Sequence, residues 1–500
     1  MNQRKDIRIP SDFSINVNTE EVLSGKIINL SKRGLSFELD KNLKLKNDYF
    51  MDLNLSSQNA KVQVYTRILW GKQGDNEKHI YGAEIIDIDN DTRKKLDSYL
   101  DHTESKLYRI PHYRQSDKNN HDESEYIRNW LSEKTGADFK HIQHYSLEPD
   151  KIKANIENFI GVTQMPLGIA GPIKINGEHA SGIYYVPMAT TEGTLIATYQ
   201  RGMYVIMKSG GANVTVLKNG LDISPIFKFE NVFEAKSFIA WIKDNFEPIK
   251  NEAEKTTKHG KLLDIKAFSL GKDVILNFRY DTGDAMGLNM VNIATDVACN
   301  YIANQVKIKG FYLRSNLSSD KKASFFNFIN SYGKEVVAEV VIAKDNVRKY
   351  LNTTCDKLYD FHRLGFIGSS QAGMIGANAH FANGLGAIYM ACGQDVAQIV
   401  NASGGFFICE KTEEGDLRCM VKLPSLVVGT IGGGTKIGTH KECLEIMGCY
   451  GDNKVQKFAE IIAATILGGE IAIHAALSKG SFIAAHLQKR DILKKEVDAL

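Results

Sequence analysis

The chain has 500 residues, 43% of them hydrophobic and 24% charged, with a formal net charge of +3. These values exclude disorder on a large scale and make two or three separate cores the expectation. So small a charge also argues against a nucleic-acid polymer as partner, although a polyanionic small ligand would need only a local patch. Seven cysteines, none before Cys299 and none paired as in a zinc ribbon, predict reduced thiols, no metal site and a cytoplasmic protein. The opening MNQRKDIRIPSDFS is charged but has no apolar run, so no signal peptide is expected.

The first hundred residues read as β structure. EVLSGKIINLS, GLSFELD, YFMDLNL, KVQVYTRILW and HIYGAEIIDI alternate apolar with polar side chains between Gly, Asn, Asp and Lys clusters, as in a small antiparallel barrel. A charged helical segment, DNDTRKKLDSYLDHTE, follows, and Pro111 to Glu123 reads as a linker with little to bury. SEYIRNWLSEKTG predicts an amphipathic helix stopped by glycine, before a Gly-rich region near Gly161 to Gly182. A helix is expected over 192–209, opening with Thr190, Thr191 and Glu192. Between Asn219 and Gly310 the order is helix, strand, strand, helix, which suits a compact α+β unit. An apolar helix around Gly376 to Val400, a hairpin in GGFFICE and LRCMVKLP, and a long helix from Lys454 to Ser478 complete the expectation. No formal charge occurs from Leu364 to Gln394, yet Asn378, His380, Asn383, Gln394 and repeated glycines would be costly in lipid. That stretch is expected to be a buried helical core beside a site, with no membrane insertion.

Two motif groups carry chemistry. Near the N-terminus, Arg4 and Arg8 precede a strand, and Asn29, Ser31 and Gly34 mark the turn NLSKRGLSF. Arginine pairs grip phosphates or stack on purines, Asn and Ser meet base edges or cap turns, and Gly34 would permit a backbone conformation closed to other residues. Read alone, the same residues could be a basic terminus beside an ordinary Asx turn. Further on, Glu192, Lys321, Asp395 and His486 stand in apolar or glycine-rich settings, where a coupled proton-handling network could form. Each has a plainer alternative: Glu192 in the first turn of a helix, Lys321 in a polar loop, Asp395 as a satisfied buried carboxylate, His486 on the surface.

The first group, Arg-x-x-x-Arg followed by Asn-x-Ser-x-x-Gly in a small β-domain, resembles the PilZ family. That resemblance implies a six-stranded barrel in which Arg4, Arg8, Asn29, Ser31 and Gly34 contact cyclic di-GMP; Asn29 stands where many members have Asp. ENFIGVTQMPLGIAGPI (157–173), PMATTEG (187–193), GDAMGLN (283–289), DKK (320–322), NAHFAN (378–383), GQD (393–395) and GTIGGGT (429–435) resemble 3-hydroxy-3-methylglutaryl-CoA (HMG-CoA) reductases over nearly all of 145–490, especially the class of eukaryotes and archaea. The implied reaction reduces the thioester with two hydrides, through a mevaldyl-CoA hemithioacetal, to mevalonate and CoA. In it Lys321 would stabilise the developing oxyanion, Glu192 would donate a proton to the aldehyde oxygen, Asp395 would hydrogen-bond both, and His486 would protonate the departing thiolate. The resemblance further implies an α+β catalytic fold with an inserted domain, not of Rossmann type, for NADPH, with NADH as the alternative. Asp281, Asp284, Ala285, Met286, Gly287 and Asn289, with Gly432, Gly433 and Gly434, are the expected cofactor residues. Lys228, Arg314, Asp320, Lys322 and Asn383 are expected to bind substrate. Active sites shared between subunits imply a homodimer, or a dimer of dimers.

Four departures from the family pattern shape the expectation. Lys228 occupies the place of an arginine that grips the acyl carboxylate, Arg314 replaces a small residue near that carboxylate, and Gln200 replaces an asparagine. Lysine keeps the charge but loses the planar fork, so Arg314 would supply the grip from another direction. Asp281 stands where NADPH-preferring relatives often place an arginine. It would repel a 2′-phosphate and accept a bond from an unphosphorylated ribose, or simply cap the following turn. The expected domains are a barrel over 1–100, linker and helices over 101–144, a catalytic domain over 145–221 and 313–500, and the insert over 222–312. Reduction of a different acyl-CoA, or a cyclic di-GMP effector on a decayed reductase scaffold, are the competing readings.

Overall fold

The computed structural model describes residues 9–11, 13–55, 60–74, 78–111 and 123–479. The chain divides into two compact units, one reaching His144 and including Asn158–Gly161, the other comprising Tyr145–Glu157 and the chain from Val162.

In the first unit, β1 (Ile9–Pro10), β2 (Ser14–Asn18), β3 (Val22–Ser31), β4 (Gly34–Leu39), β5 (Asp48–Leu55), β6 (Ala60–Gln73) and β7 (His79–Asp87) pair antiparallel. The order β3-β2-β5-β6-β7-β4 closes through β4 and β3, and β1 is added on β3. Closure removes the open edges that a small sheet would otherwise expose. Alternation sends Val17, Ile27, Phe37, Met51, Leu53 and Val64 inward. Helix α1 (Asn90–Tyr108) adds Leu96, Tyr99 and Leu100 to that core. All five expected strand segments are present, and two short strands join them, β1 and β2, the latter with SINVN alternating polar and apolar residues. Helix α2 (Glu123–Thr135) ends at Gly136, whose φ of 72° is left-handed. Most of the expected linker, residues 112–122, lies outside the described residues.

The second unit holds a short turn α3 (Pro149–Ile152), the hairpin β8 (Leu167–Gly177) and β9 (Ser181–Ala189), helix α4 (Leu195–Lys208) and strand β10 (Ala212–Ile223). Next come β11 (Ile226–Lys228), α5 (Val232–Asp244), α6 (Phe246–Glu254), β12 (Lys261–Leu270), β13 (Asp273–Asp281), α7 (Leu288–Gln305) and β14 (Gly310–Tyr312). The chain returns through α8 (Phe325–Asn330), β15 (Gly333–Ile342), α9 (Lys344–Asn346), α10 (Cys355–Gln371), α11 (Phe381–Ala391) and α12 (Ile399–Ala402). The hairpin β16 (Phe406–Lys411) and β17 (Leu417–Leu426), helix α13 (Gly438–Ile446) and helix α14 (Val455–Ser478) finish it. Strand β10 joins two sheets: its start and middle pair with β8 and β15, and Leu221–Ile223 pair with β13. Residues between Leu221 and Ile302 have their own core around Phe227, Phe238, Phe278 and Ile302, joined by Tyr332 and Val427.

Helix α14 is the central pillar of the larger core. Among the described residues it alone is long and apolar enough to cross a membrane, but 78% of that window is buried inside the protein. It crosses α4 where Gly202 faces Gly468 so closely that no Cβ fits between them. The charge-free stretch behaves in two ways. Helix α11 is buried as expected, whereas the end of α10 leaves Leu364 53% and Ile367 52% exposed in the protomer. The expected single helix from Gly376 to Val400 is broken at Cys392–Gln398, where Gly393 is left-handed and Asp395 caps a new turn. The helix expected from 192 begins at Leu195 instead.

Candidate functional site

Thr190 Oγ1 accepts from the Glu192 N–H at 2.9 Å, and Thr194 takes a left-handed φ of 73° before α4 starts. Glu192 is therefore in a turn ahead of the helix, not in its first turn, and it is exposed. Asn383, in the first turn of α11, donates to Glu192 Oε2 at 2.8 Å. Among the described residues Asn383, not Asp395, is the hydrogen-bond partner of that carboxylate.

Lys321 and Asp395 do meet. Lys321 Nζ lies 2.7 Å from Asp395 Oδ2, while Asp395 Oδ1 accepts from the Ala397 N–H at 3.1 Å. The lysine sits in a loop where Asn316, Ser319 and Lys321 have φ of 65°, 50° and 58°. Three left-handed residues other than glycine cost on the order of 1–3 kcal/mol each, so the surroundings must hold the loop in place. Asn327 Nδ2 and Asn401 Nδ2 both donate to Ser319 O, at 3.0 and 3.3 Å.

The expected substrate group is only partly assembled. Lys322 Nζ turns back to Asp320 O at 3.0 Å. Arg314 donates through Nη1 to Asp320 Oδ2 at 3.2 Å, and through Nε and Nη2 to Asn292 Oδ1 at 3.2 and 3.0 Å. A guanidinium has five N–H groups, so two remain for an incoming anion. Asp320 is nearly buried, and its Oδ1 already accepts from Tyr332 and Gln398. The carboxylate thus serves the protein interior rather than facing open solvent. Lys228 does not join this group: its Nζ lies 4.9 Å from the Tyr312 ring centroid at the end of β11, a cation–π contact.

The glycine motifs come together in the second unit. The Thr430 N–H donates to Asp284 O at 2.8 Å, and Ala285 bridges to Ile431. Gln394 Oε1 accepts from the Gly429 N–H at 2.8 Å, tying the segment before Asp395 to the same loop. Gly283, Gly432 and Gly433 have φ of 59°, 78° and 52°, and a Cβ at any of them would meet nothing within 4 Å. Backbone opened in this way can be approached closely by a phosphate, so the segment fits a dinucleotide.

Two carboxylates assigned to that cofactor have other work. Asp284 accepts from the N–H groups of Asn453, Lys454 and Val455 at 2.7, 2.9 and 3.0 Å, capping the start of α14, where orphan donors and the helix dipole favour a negative charge. Asp281 Oδ1 accepts from Asn219 Nδ2 at 2.8 Å and from the Gly283 N–H at 2.9 Å, so it caps the turn. Behind them Lys334 is buried. Burial pushes its amine down to about 8, against the opposing pull of Asp281 and Asp284.

Several supporting residues were not anticipated. Glu470 is fully buried on α14 and accepts from the Ala379 and His380 N–H groups at 2.8 Å each, with His380 Nδ1 at 3.0 Å. Burial pushes its carboxyl up, but the His380 hydrogen bond and nearby His474 outweigh that and hold it below the ordinary range. Glu470 therefore fixes the entry to α11, which carries Asn383. A signal existed: Glu460 and Glu470 are the two acidic residues of a mostly apolar 24-residue helix. Asp222, at the end of β10, lies 3.1 Å from Arg279 Nε; burial raises its carboxyl to about 6 despite that cation.

In the first unit, Asn29 and Ser31 close β3, and Ser31 Oγ donates to Gly34 O at 2.9 Å. Gly34 is not left-handed. It is required instead by the close approach of Ala83 O from β7, which leaves no room for a Cβ. Pro10 pairs with Asn29, so the strand after Arg8 runs beside this turn. Arg4, Arg8 and His486 lie outside the described residues.

A family model for hydroxymethylglutaryl-coenzyme A reductase matches residues 123–490, and one for the PilZ domain matches residues 2–102. The 3-hydroxy-3-methylglutaryl-coenzyme A reductase of Methanocaldococcus jannaschii is 46% identical over 371 residues, spanning 73% of this chain and 91% of that one. That of Pyrococcus abyssi is 42% identical over 392 residues, spanning 77% and 96%. The class II reductase of Streptococcus pneumoniae, solved bound to NADPH in open conformations, superimposes with a TM-score of 0.55 at 18% identity, over 70% of this chain and 82% of that one. This last match is a likeness of fold.

Proposed function

Since the chain belongs to the HMG-CoA reductase family, we propose that Lys321, Asp395, Glu192 and His486 divide the proton and charge handling of its reaction, and that the PilZ-like barrel places this reaction under cyclic di-GMP. The enzyme is an NAD(P)H-dependent, class I-like reductase of HMG-CoA to mevalonate and CoA, with a PilZ-like closed barrel at its N-terminus. The single observation that carries the proposed division is the 2.7 Å pair of Lys321 and Asp395, with Glu192 on the separate turn held by Asn383.

Two equivalents of the dinucleotide, bound in turn, would each supply one of the two hydrides. Lys321 holds positive charge where the thioester oxygen, and then the aldehyde oxygen, become negative, which lowers both barriers electrostatically. Asp395 keeps the ammonium aimed. Glu192 gives its proton to the aldehyde oxygen in the second reduction, and His486 gives one to the CoA thiolate as the carbon–sulfur bond breaks. Arg314, with two N–H groups to spare, grips the substrate's free carboxylate together with Lys322.

The insert over 222–312 holds the cofactor on its GDAMG turn against Gly432, Gly433 and Gly434. NADPH is the family's form; Asp281, acidic and next to this turn, supports tolerance of NADH. The hairpin of β8 and β9 exposes Leu167, Ile169, Ile183 and Tyr185, with Met165 just before it, each at least 40% open, which supports a homodimer that covers them. Seven buried, unbridged cysteines support a cytoplasmic setting.

One experiment tests the combined reading: mevalonate formation from HMG-CoA by the full chain, with each dinucleotide, with and without cyclic di-GMP, alongside calorimetry. A change in rate that saturates with the calorimetric Kd, and is lost in Arg8→Ala, supports control by the barrel. Binding without a rate change would remove that control and leave only a targeting role.

A further inference from the structure

The loop carrying Lys321 and the turn carrying Asp395 come from distant parts of the chain, and one buried carboxylate joins them. Asp320 Oδ1 accepts from Gln398 Nε2 at 2.8 Å and from the Tyr332 hydroxyl at 3.1 Å. All three residues are nearly closed to solvent: Asp320 is 9% exposed, Gln398 1% and Tyr332 0%. Gln398 ends the short 3-10 turn that Asp395 opens. Burial, and then the adjacent Asp320 carboxylate, keep the Tyr332 phenol protonated, so its hydroxyl is a donor.

A carboxylate oxygen has two acceptor positions, and both on Oδ1 are filled from inside the protein. The peptide after Asp320 places Lys321, whose left-handed φ is one that a freed loop would leave readily. The Lys321–Asp395 ion pair cannot by itself hold that conformation, because it is partly open to water and a flexible lysine side chain could follow the loop into another shape.

We propose that Gln398 and Tyr332 are positioning residues for the reduction: by clamping Asp320 between them, they lock the Lys321 loop to the Asp395 turn and set where the lysine ammonium stands. The inference rests on the roles given above to Lys321 and Asp395. Its signature is a loss in turnover that disappears once the lysine itself is gone, since residues that act through one group are not additive with it.

Three substitutions in the full chain test it. Tyr332→Phe deletes one hydroxyl and keeps the buried ring; Gln398→Met keeps length and removes the amide; Lys321→Met removes the ammonium. Each of the first two is expected to lower kcat by about tenfold or more, with KM for NADPH within about twofold of the parent. Thermal midpoints should stay close to that of the parent, and in the Lys321→Met background neither substitution should lower kcat further. Equal factors in both backgrounds, undiminished kcat in both single variants, or losses that merely follow the unfolded fraction would each overturn the inference. If Lys321→Met itself keeps full kcat, the role given to Lys321 falls first, and this inference with it. If Lys321→Met is inactive while Tyr332→Phe and Gln398→Met are silent, only the positioning role falls.

Discussion

Lys321 Nζ and Asp395 Oδ2 stand 2.7 Å apart with 39% and 25% of their side chains open to solvent. A pair so placed adds about 1 kcal/mol or less to folding, but a charge aimed at a developing oxyanion is worth roughly 3–4 kcal/mol in the transition state. Stability and activity should therefore separate at this pair. Asp395→Asn is expected to lower kcat by about 10²–10³-fold while the thermal midpoint moves by no more than about 4 °C. Steady-state kinetics beside a melting curve checks it; an unchanged kcat would remove Asp395 from the mechanism.

Arg314 is held by Asn292 and Asp320 with two N–H groups unused. A charge-assisted contact to the substrate carboxylate contributes about 1.5–3 kcal/mol, so Arg314→Ser should raise KM for HMG-CoA by roughly 10- to 100-fold. A thioester substrate with the free carboxylate converted to an amide should show little of that difference. Equal losses with both substrates would mean that Arg314 supports the loop and does not bind the anion.

Asp281 uses Oδ1 to cap the turn before the cofactor glycines, and an asparagine oxygen could accept the same two bonds. Asp281→Asn should keep the fold and remove only the negative charge. About 1 kcal/mol less repulsion of a 2′-phosphate would shift the ratio of kcat/KM for NADPH over NADH upward by roughly fivefold. A ratio that does not move would place the 2′-position away from this residue.

Asp222 has a folded-state carboxyl raised from 3.8 to about 6 by burial. A raised pKa contributes stability that is fully present below the unfolded value and is lost as pH rises through the folded one. Between pH 4 and 6 the parent should therefore lose about 2 kcal/mol relative to Asp222→Asn, whose side chain does not titrate. Denaturant midpoints of the two proteins, measured across that window, give the difference directly; parallel curves would refute the shift.

The strands of the barrel and helix α14 were legible because hydrophobic period decides them locally: a repeat of two in KVQVYTRILW, a continuous apolar run in IIAATILGG. Helix α10 was not, since Gly365, Gly368 and two serines break the run while its apolar face stays exposed in the protomer. The hairpin of β8 and β9 shows in the sequence only as a Gly-rich region, because its glycines conceal the alternation. Among site residues, motifs point to Lys321, Asp395 and Glu192, and the first two meet. Lys228, which a motif also points to, lies against Tyr312, a contact set by the pairing of β11 with β14 and not by any local pattern.

By itself the sequence determined the main strands of the barrel, helix α14 and the reaction the chain performs, since periodicity is local and ordered motifs over most of the chain are specific. Only the tertiary structure decided which carboxylates face the site and which serve the scaffold. From their motifs Asp284 and Asp281 are expected beside the cofactor and Asp320 beside the substrate, yet they cap a helix, cap a turn and clamp a loop. A carboxylate's use depends on which N–H and O–H donors the fold brings within about 3 Å of it, and those donors come from distant parts of the chain.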